Sequence, residues 1–275
     1  MALAFARRST LLLAALLVLL PRGPAEAATE TVRLAKQFGI SYLPLTIMEK
    51  KGLLEAEGKK LGLDLKTEWV QFTGGAPMND ALISGSVDIV SGGVGPLLII
   101  WGKTRTNLGV KGIAALNSMP LYLNTTNPAV KSVADFTAKD KIALPTVKVS
   151  IQAVTLQMAA EKALGQGKAN QLDAFTVSMG HPDAEAALMG GKTEIDAHFG
   201  AAPYQYDELK DARVHKVVDS YEVLGGPHCF NVIWTTTPKK VTAYAEFMAR
   251  TGLMAAKPAS WKDVFFPEIH DLPGS

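Results

Sequence analysis

Three short stretches carry residue types that could do chemistry. Thr73-Gly74-Gly75 and Gly92-Gly93-Val94-Gly95-Pro96 each follow an apolar run that reads as a strand and precede one that reads as a helix. Thr146-Val147-Lys148-Val149-Ser150 stands in the same relation to its neighbours. Glycine tolerates positive φ and brings bare backbone to the surface. The first turn of a helix leaves its N–H groups unbonded at the positive end of the dipole. That combination suits an anion. Two facing helix starts with hydroxyls, Thr73 in one and Thr146 and Ser150 in the other, make a clamp that needs no full counter-charge. Lys36 and Lys148 stand near the loop mouths and are candidates to add charge, against the ordinary alternative of a solvated surface lysine. Tyr42, after the first strand's loop, is a candidate wall of the same site or a packing residue.

Other chemistries fit less well. Gly93-Val94-Gly95 follows a strand, but the dinucleotide pattern G-x-G-x-x-G fails because Leu98 holds the third glycine position and Pro96 stiffens the turn. No G-x-S-x-G elbow, phosphate loop or H-E-x-x-H helix occurs. None of the five histidines is spaced as a paired ligand on one helix. His181, with Asp183 at a helix start, and His198 from a strand end could approach one another, so zinc is conceivable. The plainer reading has His181, before Pro182, shaping a helix entry and His198 bonding locally or touching a ligand. No metal and no cofactor are assigned. Ser150 as a nucleophile would need His181 or His198 within hydrogen-bond reach and an acid to orient it. A helix N-cap is the simpler role for it. Trp101 and Trp234 read as core.

These residues need elements to hold them. Thr31–Lys36 alternates as an opening strand, followed by a loop at 37–43 and a helix from Pro44 with Leu45, Met48 and Leu53 on one side, ending near Gly52 or Gly58. Glu68–Phe72 alternates as a second strand, Pro77 suits the first position of the next helix, Val87–Val90 is a third strand, and Lys111–Asn117 a fourth. A further extended run covers Leu121–Asn124. A second series starts at Ser132, a short capped turn, and continues with a strand at Lys141–Pro145. The helix after Ser150 carries Ile151, Val154, Thr155, Met158 and Lys162 on one stripe and stops at Gly165. A strand at Ala174–Val177, a helix at Asp183–Met189, and strands at Glu194–Ala197, Arg213–Asp219 and Phe230–Thr236 follow. Val241–Arg250 reads as a last helix and Trp261–Ser275 as an irregular strap. The alternation of strand and helix argues for an α/β protein with parallel sheets. It falls into two series bracketed by Leu121–Asn124 and Phe230–Thr236, hence two Rossmann-like lobes joined by two crossing strands with a cleft between them. The expected division is 28–120 with 230–275 as the first lobe and 121–229 as the second.

The chain has 275 residues, 48% hydrophobic and 20% charged, with a net charge of +2. That is globular composition with too little charge to argue for nucleic acid or a membrane surface. Residues 1–27 read as a signal peptide: Arg7-Arg8, the apolar run Leu11–Leu20, and Ala25-Glu26-Ala27 as the cleavage site. An anchor helix is the alternative, against which Pro21, Gly23 and Pro24 argue. Arg7-Arg8 alone does not decide between general and twin-arginine export. Cys229 is the only cysteine, so no internal disulfide is available, and no lipid-anchor cysteine stands near the cleavage site. The expected product is soluble and periplasmic.

The chain resembles the substrate-binding proteins of ABC importers for nitrate, taurine and aliphatic sulfonates. The resemblance rests on the leader and on Gln37-Phe38-Gly39-Ile40-Ser41-Tyr42-Leu43-Pro44 after the opening strand, with Lys51-Gly52-Leu53-Leu54 closing the helix. It continues through Thr73-Gly74-Gly75 with Asn79-Asp80-Ala81-Leu82, Gly85-Ser86-Val87-Asp88-Ile89, Gly92–Pro96, and Lys148-Val149-Ser150-Ile151-Gln152-Ala153. It implies a type II periplasmic-binding fold that closes on one small oxyanion and delivers it to a membrane permease and its ATPase, with no catalysis, as a monomer. The implied ligand contacts are Ser41, Tyr42, Thr73, Gly74, Gly75, Gly93, Val94, Thr146, Val149 and Ser150, with His181 and His198 in the second lobe and Ser118 beside the crossing segment. A receptor for a heterocyclic nutrient, such as a thiamine-precursor pyrimidine, is the close variant. A secreted serine hydrolase is the alternative of another class. One departure stands out: Thr235-Thr236-Thr237-Pro238 runs almost directly into Lys239-Lys240-Val241, where the family carries several helices. A shortened C-terminal helical part is expected to expose apolar strand surface of the first lobe.

Overall fold

Alternating apolar residues put β1 (Glu30–Lys36) at the heart of a sheet, with Val32 and Leu34 on one face and Ala35 on the other. A computed structural model of the protein describes residues 29–191 and 195–236. The expected signal peptide, the Val241–Arg250 helix and the strap at 261–275 lie outside the described residues. β1 pairs in parallel with β2 (Leu65–Gln71) and with β3 (Ile89–Gly93). β10 (Asn231–Thr235) then runs antiparallel between β3 and β4 (Lys111–Ala115), giving the order β2-β1-β3-β10-β4. The second sheet has the order β7-β6-β8-β5-β9, with β5 at Tyr122–Thr125, β6 at Ile142–Leu144, β7 at Thr176–Ser178, β8 at Ala197–Phe199 and β9 at His215–Asp219. β6 is parallel to β7 and β8, while β5 is antiparallel to β8 and β9. Parallel sheets were thus only half the answer. β5 and β10, the strands reached when the chain crosses from one sheet to the other, run against their neighbours.

The crossing itself is a pair of extended segments held side by side. Leu116 N donates to Asn231 O at 2.7 Å and Phe230 N to Asn117 O at 2.9 Å. Nearby, Tyr42 Oη donates to Asn231 Oδ1 at 3.3 Å and Asn117 Nδ2 to Ser41 O at 2.6 Å. The two connections therefore bend as one unit.

The first sheet is covered on both faces. α1 (Leu43–Lys50) and α2 (Leu53–Lys60) lay Leu45, Met48 and Leu54 over Val32, Leu34, Ile89, Ile113 and Ile233. α3 (Gly75–Ile83) and α4 (Val94–Thr104) lay Met78, Leu82, Leu97 and Ile100 over Ala35, Val90, Val232 and Trp234. Trp234 is core as expected, and its Nε1 donates to Asn79 Oδ1 at 3.2 Å. Trp101 is half-exposed with Arg105 across its ring at 5.0 Å. The expectation that strand surface of this half lies exposed is not met by β3 or β10, which are buried throughout, while Ala115 of β4 and Val70 of β2 are exposed.

Several local readings shift: the strand expected at Glu194–Ala197 is β8 at Ala197–Phe199, and that expected at Ala174–Val177 is β7 at Thr176–Ser178, preceded by a 3-10 helix at Ala169–Phe175. The single helix after Pro44 is two, split at Gly52, whose φ of 55° ends the first turn set. Pro77 is the third helical residue of α3, since Gly75 opens that helix. Gly92 and Gly93 are the last residues of β3, and Val94 starts α4 with no intervening loop. On α5 (Ile151–Leu164) the buried stripe is Gln152, Ala153, Leu156, Ala159 and Ala160 with Ile151 and Thr155, and Met158 faces solvent. The expected stripe followed the largest apolar side chains, but small alanines let α5 approach the sheet more closely. The capped turn at Ser132 is present as a capping box with Asp135. No helix among the described residues is long and apolar enough to cross a membrane.

Candidate ligand-binding cleft

Four helices begin at the meeting of the two halves. Gly75 of α3, Gly93 and Pro96 at the start of α4, Ser150, Ile151 and Gln152 at the start of α5, and His181 at the start of α6 (His181–Gly190) line one gap. Gln37, Phe38 and Tyr42 after β1 and Phe230 on the return segment complete it. Gly74, Gly93 and Gly180, which precede three of these helices, make no side-chain cap. Ser150 caps the fourth: its Oγ accepts from Ala153 N at 3.2 Å. First-turn N–H groups from both halves thus converge on one enclosure, at the carboxyl ends of the strands where open α/β sheets take ligands. The enclosure holds about 10 Å³, about the room of a single water by that measure.

It is small because the halves touch. Gly74 has an extended φ of −170° and Gly93 a φ of −63°, so neither glycine is needed for a left-handed turn. Their purpose is clearance. A Cβ on Gly74 would stand 2.2 Å from Thr146 Oγ1 and 2.4 Å from Pro145 O. One on Gly93 would stand 2.7 Å from Ile151 Cγ2, and one on Gly95 3.1 Å from Val149 O. Ile40 N donates across the gap to Ala202 O at 3.1 Å.

Behind His181 runs a buried polar chain. Gln152 Nε2 is 3.3 Å from His181 Nε2, and His181 Nδ1 is 2.9 Å from His198 Nε2. His198 Nδ1 bonds Glu208 Oε1 in a short contact. Glu208 lies at the end of α7 (Tyr204–Glu208), and its Oε2 accepts from Asn124 Nδ2 at 2.8 Å. His198 and Glu208 are fully buried, and Tyr204 stacks on the His181 ring at 5.7 Å. Burial holds His181 well below the usual histidine range, helped by the nearby charge of His198. The two histidines spend their facing nitrogens on each other, and no group of three His, Cys, Asp or Glu among the described residues is placed to hold a metal ion.

The expected site residues divide accordingly. Tyr42, Gly75, Gly93, Ser150 and His181 line the gap. Gly74 and Thr146 meet across it, Val149 contributes its carbonyl opposite Gly95, and Thr73 touches the Gly180 turn that leads into α6. Ser41 is buried with its Oγ unpartnered, as is Thr146 Oγ1. Val94 N is spent on Phe230 O at 3.1 Å, and its side chain packs against the second half's core. His198 sits behind His181 in mid-strand, one layer from the gap. Ser118 faces out and bonds Tyr221 Oη at 3.0 Å. Lys36 is not a cleft charge: Glu49 and Thr46 hold its ammonium. Lys148 is exposed at a φ of 63° and borders a separate surface hollow with Gln157 and Asp173. Sequence reasoning missed Gln37, Phe38, Pro96, Gln152 and Phe230 as lining, and Glu208 and Asn124 as the anchor of the histidine pair. Position alone, directly after β1 and at the second residue of α5, was the available signal for Gln37, Phe38 and Gln152.

Comparison with solved structures agrees with this architecture. An alkanesulfonate-binding protein from Xanthomonas axonopodis pv. citri, bound to MOPS, superposes with a TM-score of 0.61 at 22% identity, over 82% of this chain and 73% of that one. The periplasmic nitrate-binding protein of Synechocystis PCC 6803 gives 0.59 at 15% identity, over 81% and 61%. A Candida albicans protein with the generic periplasmic binding protein fold gives 0.54 at 12%, over 86% and 79%. Neither a family model nor a curated protein sequence matches the chain. The fold is that of the periplasmic binding proteins: two α/β halves, two crossing segments and a cleft between them.

Proposed function

We propose that the protein is a periplasmic solute receptor of an ABC importer, which captures a small oxyanion of the sulfonate, taurine or nitrate kind between its halves and hands it to a membrane permease driven by an ATPase. The observation that carries this reading is the convergence of four helix N-termini from both halves on one enclosure. Among the described residues no lysine or arginine lines it, so backbone N–H groups and helix dipoles are what an anion would meet there. Gln37 and Gln152 bring side-chain amides to its lining, and the hydroxyls of Ser41 and Thr146 are buried without a partner. A sulfonate is larger than the enclosure, so binding requires the halves to part and close again about the two crossing segments. The likeness to alkanesulfonate- and nitrate-binding structures points the same way. The leader at residues 1–27 supports the periplasmic address, and a monomer suffices for the role.

A second reading keeps the role and changes the ligand. Phe38, Tyr42 and Phe230 line the gap, and Tyr204 stacks on His181. An aromatic or heterocyclic nutrient, such as a thiamine-precursor pyrimidine, would fit that lining. Hydrolysis finds no support: Ser150 Oγ is engaged with Ala153 N, and His181 is engaged with Gln152 and His198. A thermal-shift panel of alkanesulfonates, taurine, nitrate, bicarbonate and pyrimidines separates these readings, because a ligand that binds only the folded state must raise its stability. A response to sulfonates or nitrate alone supports the oxyanion, and a response to pyrimidines alone replaces it. No response to any of them, with turnover of an ester, overturns the receptor.

A further inference from the structure

Four buried side-chain atoms without a hydrogen-bond partner stand where the two halves touch or join: Ser41 Oγ, Thr146 Oγ1, Asn117 Oδ1 and Asn231 Nδ2. Buried hydroxyls inside each half behave differently. Ser91 Oγ, Thr104 Oγ1 and Thr155 Oγ1 each donate to a backbone carbonyl at 2.8 Å, and Thr125 Oγ1 does so at 2.7 Å. A buried polar atom left unsatisfied is uncommon in a folded protein and wants a reason. None of the four residues lines the enclosure, so they are not placed to meet a ligand there.

Both hydroxyls sit at the contact between the halves. Thr146 Oγ1 is where Gly74 presses closest, since a Cβ on that glycine would stand 2.2 Å away. Gly74 belongs to the first half and Thr146 to the second, so water reaches this hydroxyl when they part. Ser41 follows the turn at Gly39. A Cβ on Gly39 would lie 3.0 Å from Ala202 O of the second half and 3.7 Å from Ser41 Oγ. Ile40 N, between them, donates to that same carbonyl. Shutting the halves thus takes water from two hydroxyls and supplies no partner. The crossing segments repeat the pattern. Asn117 Nδ2 donates to Ser41 O, which fixes the amide's orientation and leaves Oδ1 alone. Asn231 is fully buried, and its Oδ1 accepts from Tyr42 Oη. Turning that amide over would only move the unpartnered atom from Nδ2 to Oδ1.

We propose that Ser41 and Thr146 are tuning residues rather than ligand contacts: each hydroxyl opposes closure, so the protein holds its solute less tightly than its cleft allows. The inference rests on the receptor reading above, whatever the solute. A hydroxyl taken out of water without a partner disfavours the closed form, and an apolar group of the same shape in its place removes that penalty. Where the open form dominates, a gain in closed population appears in full as affinity. The gain falls on dissociation, because the open form that admits the solute is unchanged. A receptor has to let go at the permease, and a closed form kept marginal lets go faster.

Calorimetric titration with ethanesulfonate, nitrate and a hydroxymethylpyrimidine, with dissociation rates by stopped flow, tests this on Ser41→Ala, Thr146→Val and Thr146→Ala. The alanine guards against a methyl group overfilling the contact with Gly74. Ser41→Ala and the better of the two Thr146 variants should each bind about tenfold more tightly whichever probe the wild type binds, through slower dissociation at an unchanged association rate. Thr155→Val removes a hydroxyl that is bonded to Ile151 O within α5. It should lower stability without tightening binding. Unchanged affinity in Ser41→Ala and in both Thr146 variants overturns the proposal. Affinity weakened about tenfold overturns it as well and makes the hydroxyls ligand contacts. Equal tightening in Thr155→Val overturns the link to the contact between halves. If the pyrimidine alone binds, the oxyanion reading falls and the same comparison on that probe decides the tuning. Failure of all three probes to bind wild type and variants alike overturns the receptor reading, and this inference with it.

Discussion

Gly74 stands so close to Thr146 in the opposite half that a Cβ on it would lie 2.2 Å from the threonine Oγ1. Its backbone is extended, a conformation open to every residue. Gly74→Ala therefore should leave the fold of each half intact and penalise only their contact. A weakening of ligand binding by about tenfold or more is expected, the equivalent of about 1.4 kcal/mol lost from the closed form. Calorimetric affinity, set beside an unchanged circular dichroism spectrum, checks it. Full affinity in the variant would mean that the halves do not meet here when the ligand is held.

Gly93 and Ile151 form the second contact of this kind. Overfilling a packed site costs typically about 1–3 kcal/mol, so Gly93→Ala should impair closure to that degree. Ile151→Ala on the same chain should restore part of it, because it removes the Cγ2 that a Gly93 Cβ would meet at 2.7 Å and leaves only the Cβ at 2.8 Å. A double-mutant cycle on affinity reads the coupling. Strict additivity of the two changes would refute the direct contact.

Asn79 ties three elements of the first half together. Its Nδ2 donates to Pro96 O at 3.0 Å and its Oδ1 accepts from Trp234 Nε1 at 3.2 Å, all out of water. Asn79→Leu leaves two buried groups without partners, at about 1–3 kcal/mol each. Denaturant unfolding should show a loss of about 2–4 kcal/mol. A loss under about 0.5 kcal/mol would show that neither bond matters to stability.

Stability should fall on acidification through His181. Its folded pKa lies below the usual histidine value because it is buried and faces His198. Below about pH 6.5 the unfolded chain binds a proton that the folded ring refuses. The unfolded state then binds more protons, so stability rises with pH in that window and is lost as pH drops through it, by up to about 1.4 kcal/mol per pH unit. Melting temperatures from pH 8 to pH 5 should decline more steeply in the wild type than in His181→Gln. Equal slopes would show that His181 charges as readily in the folded protein as out of it.

Ser150→Ala separates the cap from the nucleophile. Loss of an N-cap costs typically about 0.5–2 kcal/mol, and that is the expected fall in unfolding free energy. If the variant instead keeps its stability and loses an esterase activity that the wild type has, the receptor reading is wrong.

The strand–helix alternation made both sheets legible in the sequence, because period-two and period-3.6 patterns are local. The antiparallel placement of β5 and β10 was not, since pairing depends on where the chain arrives after crossing. The glycines at 74, 75 and 93 were marked as functional for the wrong physical reason. Turn chemistry is a property of neighbours in sequence, whereas clearance against Thr146, Pro96 and Ile151 is set by residues brought near only by the fold. Glu208 gave no signal at all. It ends the segment Tyr204-Gln205-Tyr206-Asp207-Glu208 next to an ordinary acidic neighbour, and only burial against Asn124 and His198 distinguishes it. Lys36 shows the converse: a charge beside a cleft mouth is not available to it once Glu49 has claimed the ammonium.

The placement of β10 between β3 and β4 has a consequence for how the protein comes into being. The strand that joins β3 to β4 in the first sheet is the last to be synthesised of the five, separated from β4 by the whole second sheet. All five strands of the second sheet, by contrast, lie on one uninterrupted run of chain. On a chain threading out N-terminus first, the later half can therefore condense while the earlier half still waits, its two open edges facing each other, for residues 231–235 to arrive.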